Sequence, residues 1–289
     1  MKTVCFVYDA WDDKYTLEVF SKMTPRRSGE FRGIKGVSDR SKADFFVVID
    51  DTNSNLPQDR TIYIGAHPYI PGYSNYRAIQ GKGIASLDCR YTFGFGEWWL
   101  KYDYDYLAAL KKPEKTKDLI CILSNASGRD DHRQRKEYTA AYCAKYPLDL
   151  YGSIVPFTGP MKSCYKGRLG NGNANDYWFG KEGVLEQYRY ALEFDMGPCE
   201  HYFSERIFDD ILLWTTPIVV IGGTNIGDYL PSGSFHYADI KNGGSDVCAL
   251  TSQPQDDKAL EEARDLLLNK YQLWARIDEV LTGVERCQK

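Results

Sequence analysis

The chain has 289 residues, 43% hydrophobic and 26% charged, the balance of an ordinary soluble globular protein large enough for two modest domains. A net charge of −4 and an isoelectric point near 5.7 exclude the basic footprint of a nucleic-acid binder. No stretch approaches the roughly 20 apolar residues that cross a bilayer, and the N-terminus, opening Met1-Lys2-Thr3, is charged too soon for a secretory signal. The expectation is a cytoplasmic protein with no membrane span and no nucleic-acid partner.

Taken in chain order, Val4–Tyr8, Phe45–Ile49, Thr61–Ile64 and Tyr91–Phe95 are short, apolar and bounded by turn formers, which predicts strands. A helix is predicted over Lys14–Met23. Together these form an α/β domain over residues 1–110. Residues 111–117, Lys-Lys-Pro-Glu-Lys-Thr-Lys, carry charge and a proline without hydrophobic periodicity, and read as a linker. A second α/β unit spans 118–255. It opens with a strand at Asp118–Ser124, followed by a helix over Arg133–Lys145 and a strand at Leu148–Tyr151 that ends at Gly152. A flexible loop is expected over 164–176.

Further strands are predicted at Tyr188–Phe194 and Pro217–Ile221, with a helix opening near Ser204-Glu205-Arg206 between them. In the last segment, 256–289, Leu260, Ala263, Leu267, Tyr271, Trp274, Ile277 and Leu281 recur at helical spacing after Asp256-Asp257. That predicts one helix packing back across the two domains. Eight cysteines without a Cys-x-x-Cys pair give neither zinc spacing nor a disulfide framework, and read as reduced thiols. Asn125-Ala126-Ser127 fits a glycosylation sequon that stays unmodified without a secretory signal.

The run from Lys181 to Lys241 carries the chemistry. A strand feeding a loop and a helix N-terminus places free backbone N–H groups and the helix dipole at one point, which is an anion site. Arg206 adds a planar cation suited to phosphate oxygens. Ligands of open parallel sheets sit beyond the carboxyl ends of the strands, where Ser124 and Phe194 both end.

Four pieces in order resemble the alpha-1,3-fucosyltransferase family, glycosyltransferase family ten. They are Ser124-Asn125 with Arg133-Gln134-Arg135 and Leu148–Gly152; Lys181 through Tyr188–Phe194; Tyr202-Phe203-Ser204-Glu205-Arg206; and Pro217–Val220 with Gly222, Leu230-Pro231 and Ser234-Phe235. The resemblance covers residues 118–241 well and the N-terminal half faintly. It implies a GT-B-like architecture, two Rossmann-like domains around a cleft, and transfer of a sugar from a nucleotide-sugar donor to a hydroxyl of a glycan acceptor. The donor it implies is GDP-fucose, and the displacement inverts the anomeric carbon with no metal or other cofactor.

By the same resemblance Glu205 accepts from the ribose, Arg206 and one of Arg133 or Arg135 neutralise the diphosphate, and Tyr202 shapes the pocket. Asn125, Asp195 and Gly222 belong to the same donor-binding motifs. Two positions depart from the family. Phe194-Asp195-Met196 stands where the family has Phe-Glu-Asn, and Ala66 stands where it has its glutamate base. His67, beside Ala66 at a strand end, has a side chain suited to base catalysis at neutral pH. Glu97, Asp50 and Asp51 are the carboxylate alternatives. These departures keep a different donor such as UDP-xylose open, and also an inactive carbohydrate-binding derivative. A further reading takes Asp50-Asp51, or Asp103 with Asp105, as the manganese-holding pair of a GT-A transferase.

Overall fold

The computed structural model describes residues 1–8, 11–50, 55–68, 78–124, 128–152, 157–169, 180–197 and 199–287. Among them, β1 (Lys2–Tyr8), β2 (Glu30–Phe31), β3 (Ile34–Gly36), β4 (Phe45–Ile49), β5 (Thr61–Ile64) and β6 (Ala85–Leu87) build one sheet in the order β2-β3-β1-β4-β5-β6. A second sheet contains β7 (Lys117–Leu123), β8 (Asp149–Gly152), β9 (Tyr165–Gly167), β10 (Tyr188–Phe194), β11 (Thr216–Ile221) and β12 (His236–Tyr237), in the order β12-β11-β10-β7-β8-β9. Every pairing is parallel except β2 with β3. Helices cover the sheets: α1 (Asp13–Ser21), α2 (Tyr104–Ala109), α3 (Asp130–Cys143), α4 (Pro160–Cys164), α5 (Glu182–Leu185), α6 (Glu205–Leu212), α7 (Ser245–Thr251), α8 (Asp257–Leu266) and α9 (Leu273–Cys287). These are the two Rossmann-like α/β units that the sequence predicts.

Burial explains the strands. Val4–Val7, Phe46–Ile49 and Thr61–Ile64 are buried throughout, as strands of a parallel sheet covered on both faces must be. One apolar cluster joins the two sheets, running from Phe6, Val47 and Ile62 through Trp274 and Ile277 to Ala191, Ile207 and Phe208. None of the described cysteines forms a disulfide, and most are buried.

Three expectations need correction. Tyr91–Phe95 is not a strand; the sheet ends at β6. The Asp88 side chain accepts from the Arg90 N–H and guanidinium, and Tyr91 and Thr92 donate to the Asp88 carbonyl, closing a turn instead. Phe93 then packs on Phe203, and the Gly94 carbonyl accepts from Arg276 rather than from a strand. Within the expected loop at 164–176, Tyr165–Gly167 pairs with β8 as an edge strand, and 170–176 lies outside the described residues.

The third correction concerns the C-terminal helix, which is two helices. The chain turns extended at Gln272, whose ψ is 159°, after a wide turn at Leu267–Tyr271. The Tyr271 carbonyl accepts from Gly96 N–H and the Gln272 side chain accepts from Trp274 N–H, so tertiary partners replace the lost helical bonds. All seven predicted apolar positions are nevertheless buried.

Past that break, α9 returns to the first sheet. Trp274 is fully buried, lies edge-on to Phe6 at 5.0 Å and donates Nε1–H to the Phe20 carbonyl at 2.9 Å. Trp274→Ala removes that volume and orphans the carbonyl, so chemical denaturation should show a loss of about 3–5 kcal/mol. A loss under about 1 kcal/mol would mean that α9 does not hold the first sheet.

Candidate functional site

Two recesses open where β7 and β10 end and meet the segment after β6. The first takes Ser124 from the end of β7, Arg135 from α3, Lys181, Glu193 from β10, and Arg206, Asp209 and Asp210 from α6. Arg135 is buried and donates Nη2–H to Ser124 Oγ at 2.7 Å. Arg133 lies half-exposed outside the recess, paired with Asp130. Two residues apart on a helix, the two arginines face different ways. Asn125 and Asp51 lie outside the described residues.

Arg206 stands in the first turn of α6 with its guanidinium 3.7 Å from Glu193 and 4.0 Å from Glu205. Burial pushes the Glu193 carboxyl up to about 7, although Arg206 and Lys181 pull it down. Asp195 and Asp209 rise to about 6 for the same first reason, burial. Lys181 pairs with Asp209. Buried cations and carboxylates therefore interleave, each needing the other because an isolated buried charge is prohibitive.

At the start of α6 the amide of the capping residue Ser204 is already engaged. Asp195 Oδ2 already accepts from Ser204 N–H at 2.9 Å. Gly222 serves that contact: its φ is +93°, and a Cβ there would lie 2.2 Å from the Asp195 Cβ. It is a spacing residue beneath Asp195, on the wall of an apolar groove with Val219 and Tyr237.

The second recess is lined by Glu97 from the first sheet's side and by His201, Tyr202, Ser204 and Glu205 from the second. Burial, then the nearby Glu205 carboxylate, pushes the Glu97 carboxyl up to about 7, opposed by a hydrogen bond from the Trp99 side chain. Burial holds the Tyr202 phenol neutral, and its hydroxyl donates to Met196 Sδ at 3.8 Å. The adjacent Glu205 and Arg206 link the two recesses. The Trp99 N–H donates to Asp209 Oδ1 at 3.0 Å, tying the Glu97 segment to α6.

His67 follows Ala66, which lines the second recess. Its Nδ1 lies 2.5 Å from Asp50 Oδ2, while Asp50 Oδ1 accepts from Ala66 N–H at 2.8 Å. Asp50, at the end of β4, holds a left-handed φ of +53° to make both contacts. Asp103 caps α2 by accepting from Tyr106 N–H, and Asp105 accepts from Arg26 N–H. The carboxylates of the GT-A reading at Asp50, Asp103 and Asp105 thus have local partners.

Sequence reasoning assigned no role to Lys181, Glu193, Asp209, Asp210 or His201. The signal was present for four of them. Glu193 interrupts an apolar strand, Asp209-Asp210 interrupts an apolar helix, and Lys181 opens the run before β10. Charges that interrupt a buried element mark groups with partners.

No family model matches the chain. Among solved structures, it is similar to a mutant of TarM from S. aureus, solved in complex with fondaparinux, alpha-GlcNAc-glycerol and UDP, at 11% identity and a TM-score of 0.48. That match covers 82% of this chain and 55% of the TarM chain, so the chain spans little more than half of that protein's length. An alpha1,3-fucosyltransferase is similar at 12% identity and a TM-score of 0.46, covering 91% of this chain and 81% of that one. The spinosyn forosaminyltransferase SpnP is similar at 13% identity and a TM-score of 0.37, over 82% of this chain and 54% of that one. At such identities and scores none of the three assigns this chain an activity.

The Gly222–Asp195 contact is directly testable. Gly33 also has a positive φ, +83°, but nothing lies within 4 Å of its missing Cβ. Gly222→Ala should therefore cost about 1–3 kcal/mol more than Gly33→Ala, the usual penalty of overpacking. Equal losses in urea titrations of the two variants would show that backbone strain alone, and not Asp195, demands the glycine.

Proposed function

We propose that this chain is a glycosyltransferase that moves a sugar from a nucleotide-sugar donor to a hydroxyl of a glycan acceptor. The observation that carries the reading is the convergence of Arg135 and Arg206, from two different helices, on one recess at the carboxyl ends of β7 and β10. Beside it stands a recess lined by two carboxylates, Glu97 and Glu205. Cations fixed before the reaction stabilise a diphosphate most strongly when its charge grows, as the glycosidic bond breaks, so they act on the transition state more than on the ground state.

In this reading the diphosphate lies between the two guanidiniums, and Glu205 accepts from donor hydroxyls. Glu97 is the base. A carboxyl raised to about 7 is partly ionised at neutral pH and still basic enough to take a proton in the transition state. The acceptor oxygen attacks the anomeric carbon and its proton passes to Glu97. The carbon–oxygen bond to the diphosphate breaks, and that electron pair leaves with the phosphate. One displacement inverts the centre, and the charge is met by Arg135 and Arg206 without a metal. His67, fixed by Asp50, is the rival base.

The resemblance of residues 118–241 favours GDP-fucose. Met196, in the place of the family's asparagine and touching Tyr202, favours a donor other than GDP-fucose, such as UDP-xylose.

Calorimetric titration with UDP, GDP, UDP-xylose and GDP-fucose tests the seat. Arg206→Ala and Arg135→Ala should each weaken binding by about 1.5–3 kcal/mol, the worth of a hydrogen bond to a charged group. Affinities equal to wild type would remove the diphosphate from this recess. Glu97→Gln should lower kcat by about 10²–10⁴-fold while donor affinity stays unchanged. The rate of wild type should rise with pH through about 7, because the base must be ionised, and the variant should lose that limb. A full effect from His67→Ala with none from Glu97→Gln would move the base to His67.

A further inference from the structure

His201 has no part in the mechanism above, yet it lines the second recess beside Glu97 and Glu205. It holds a left-handed φ of +55°, a conformation uncommon for a non-glycine residue that persists where its surroundings impose it. The turn at 225–229 imposes it. His201 N–H donates to Asn225 Oδ1 at 2.8 Å. On the ring, Nδ1 lies 2.5 Å from the Tyr229 hydroxyl and 3.1 Å from Asn225 Nδ2.

These contacts fix the tautomer. Because Asn225 Oδ1 faces the His201 N–H, its Nδ2 faces the imidazole and also donates to Asp228 Oδ2 at 3.0 Å. An amide nitrogen only donates, so Nδ1 accepts. The Tyr229 hydroxyl hydrogen rotates to suit its partner and turns to the same Nδ1. A neutral ring whose Nδ1 accepts carries its proton on Nε2.

We infer that His201 donates Nε2–H to a hydroxyl oxygen of the nucleotide sugar in the second recess, as a substrate-binding donor and not as a base. The inference rests on the proposed function. A sugar hydroxyl is the group that fits, since it can donate to Glu205 and accept from His201 at once. Carboxylates alone would leave its oxygen without a donor. The hydroxyl belongs either to the ribose or to the transferred sugar, and the two sources separate by experiment.

The long-range ¹H–¹⁵N spectrum of the free protein reads the tautomer directly. Protonated Nε2 with unprotonated Nδ1 is expected, and the opposite tautomer overturns the inference. Calorimetry of His201→Ala with UDP, GDP, UDP-xylose and GDP-fucose reads the contact. An approximately 10-fold loss for the donor that binds is expected, the worth of one hydrogen bond. The same loss for the free nucleoside diphosphate assigns the ribose; a loss confined to the nucleotide sugar assigns the transferred sugar.

His201→Gln, which keeps an N–H donor at similar reach, should recover most of the affinity. A His201→Ala protein that binds every ligand like wild type overturns the inference. Wild-type protein that binds none of the four removes the proposed function, and the ligand of His201 with it, whatever the tautomer.

Discussion

A guanidinium set into a recess of the second sheet's unit needs a carboxylate within reach, and much of the candidate site follows from how Arg206 obtains one. Its partner Glu193 points from β10 into the same recess, 3.7 Å away. Glu193 belongs to a strand otherwise rich in Tyr, Ala, Leu and Phe, so its own burial is tolerable only because Arg206 and Lys181 face it. The strand then ends in Asp195, which takes the first free amide before α6 and holds that helix start against β10. Gly222 lets β11 pass beneath Asp195. Lys181, β10, α6 and the turn after β11 thus meet at one cluster of charges.

The same cluster sets the relation between the domains. The segment after β6 reaches α6 through Trp99 N–H on Asp209, and α5 through Lys101 N–H on the fully buried Glu182. Glu97 is therefore held near Glu205 by backbone bonds to the opposite domain. The proposed mechanism, with its base on one domain and its donor seat on the other, depends on such fixed spacing, because misplacement by about an ångström can cost on the order of 10²-fold in rate. From the other side, Trp214 Nε1–H and Arg264 both bond the Leu110 carbonyl, fastening the chain between the domains to α6 and α8.

Elements whose signals are local were legible in the sequence. Tyr188–Phe194, Phe45–Ile49 and Thr61–Ile64 occur with the predicted bounds, because a fully buried parallel strand is an apolar run between turns. Tyr91–Phe95 has the same composition and is no strand. Phe93 and Gly94 bond Arg276, and the following Gly96 bonds Tyr271, partners so far along the chain that no local pattern reveals them. The choice between Arg133 and Arg135 depended on helix phase, and only the position of Ser124 decides which of them faces the recess. The carboxylates of the first recess were harder to read than its cations. Arg206 announces itself at a helix start, whereas Glu193 and Asp210 gain meaning only from the charges opposite them.

A crystal structure of the protein with a nucleoside diphosphate, UDP or GDP according to which one binds, tests the central claim most directly. The account predicts phosphate oxygens within hydrogen-bonding distance of both Arg135 and Arg206, with ribose or sugar hydroxyls turned toward Glu205. Density for the diphosphate in any other cleft, with the Arg206–Glu193 pair left undisturbed and solvent alone beside Arg135, would contradict it.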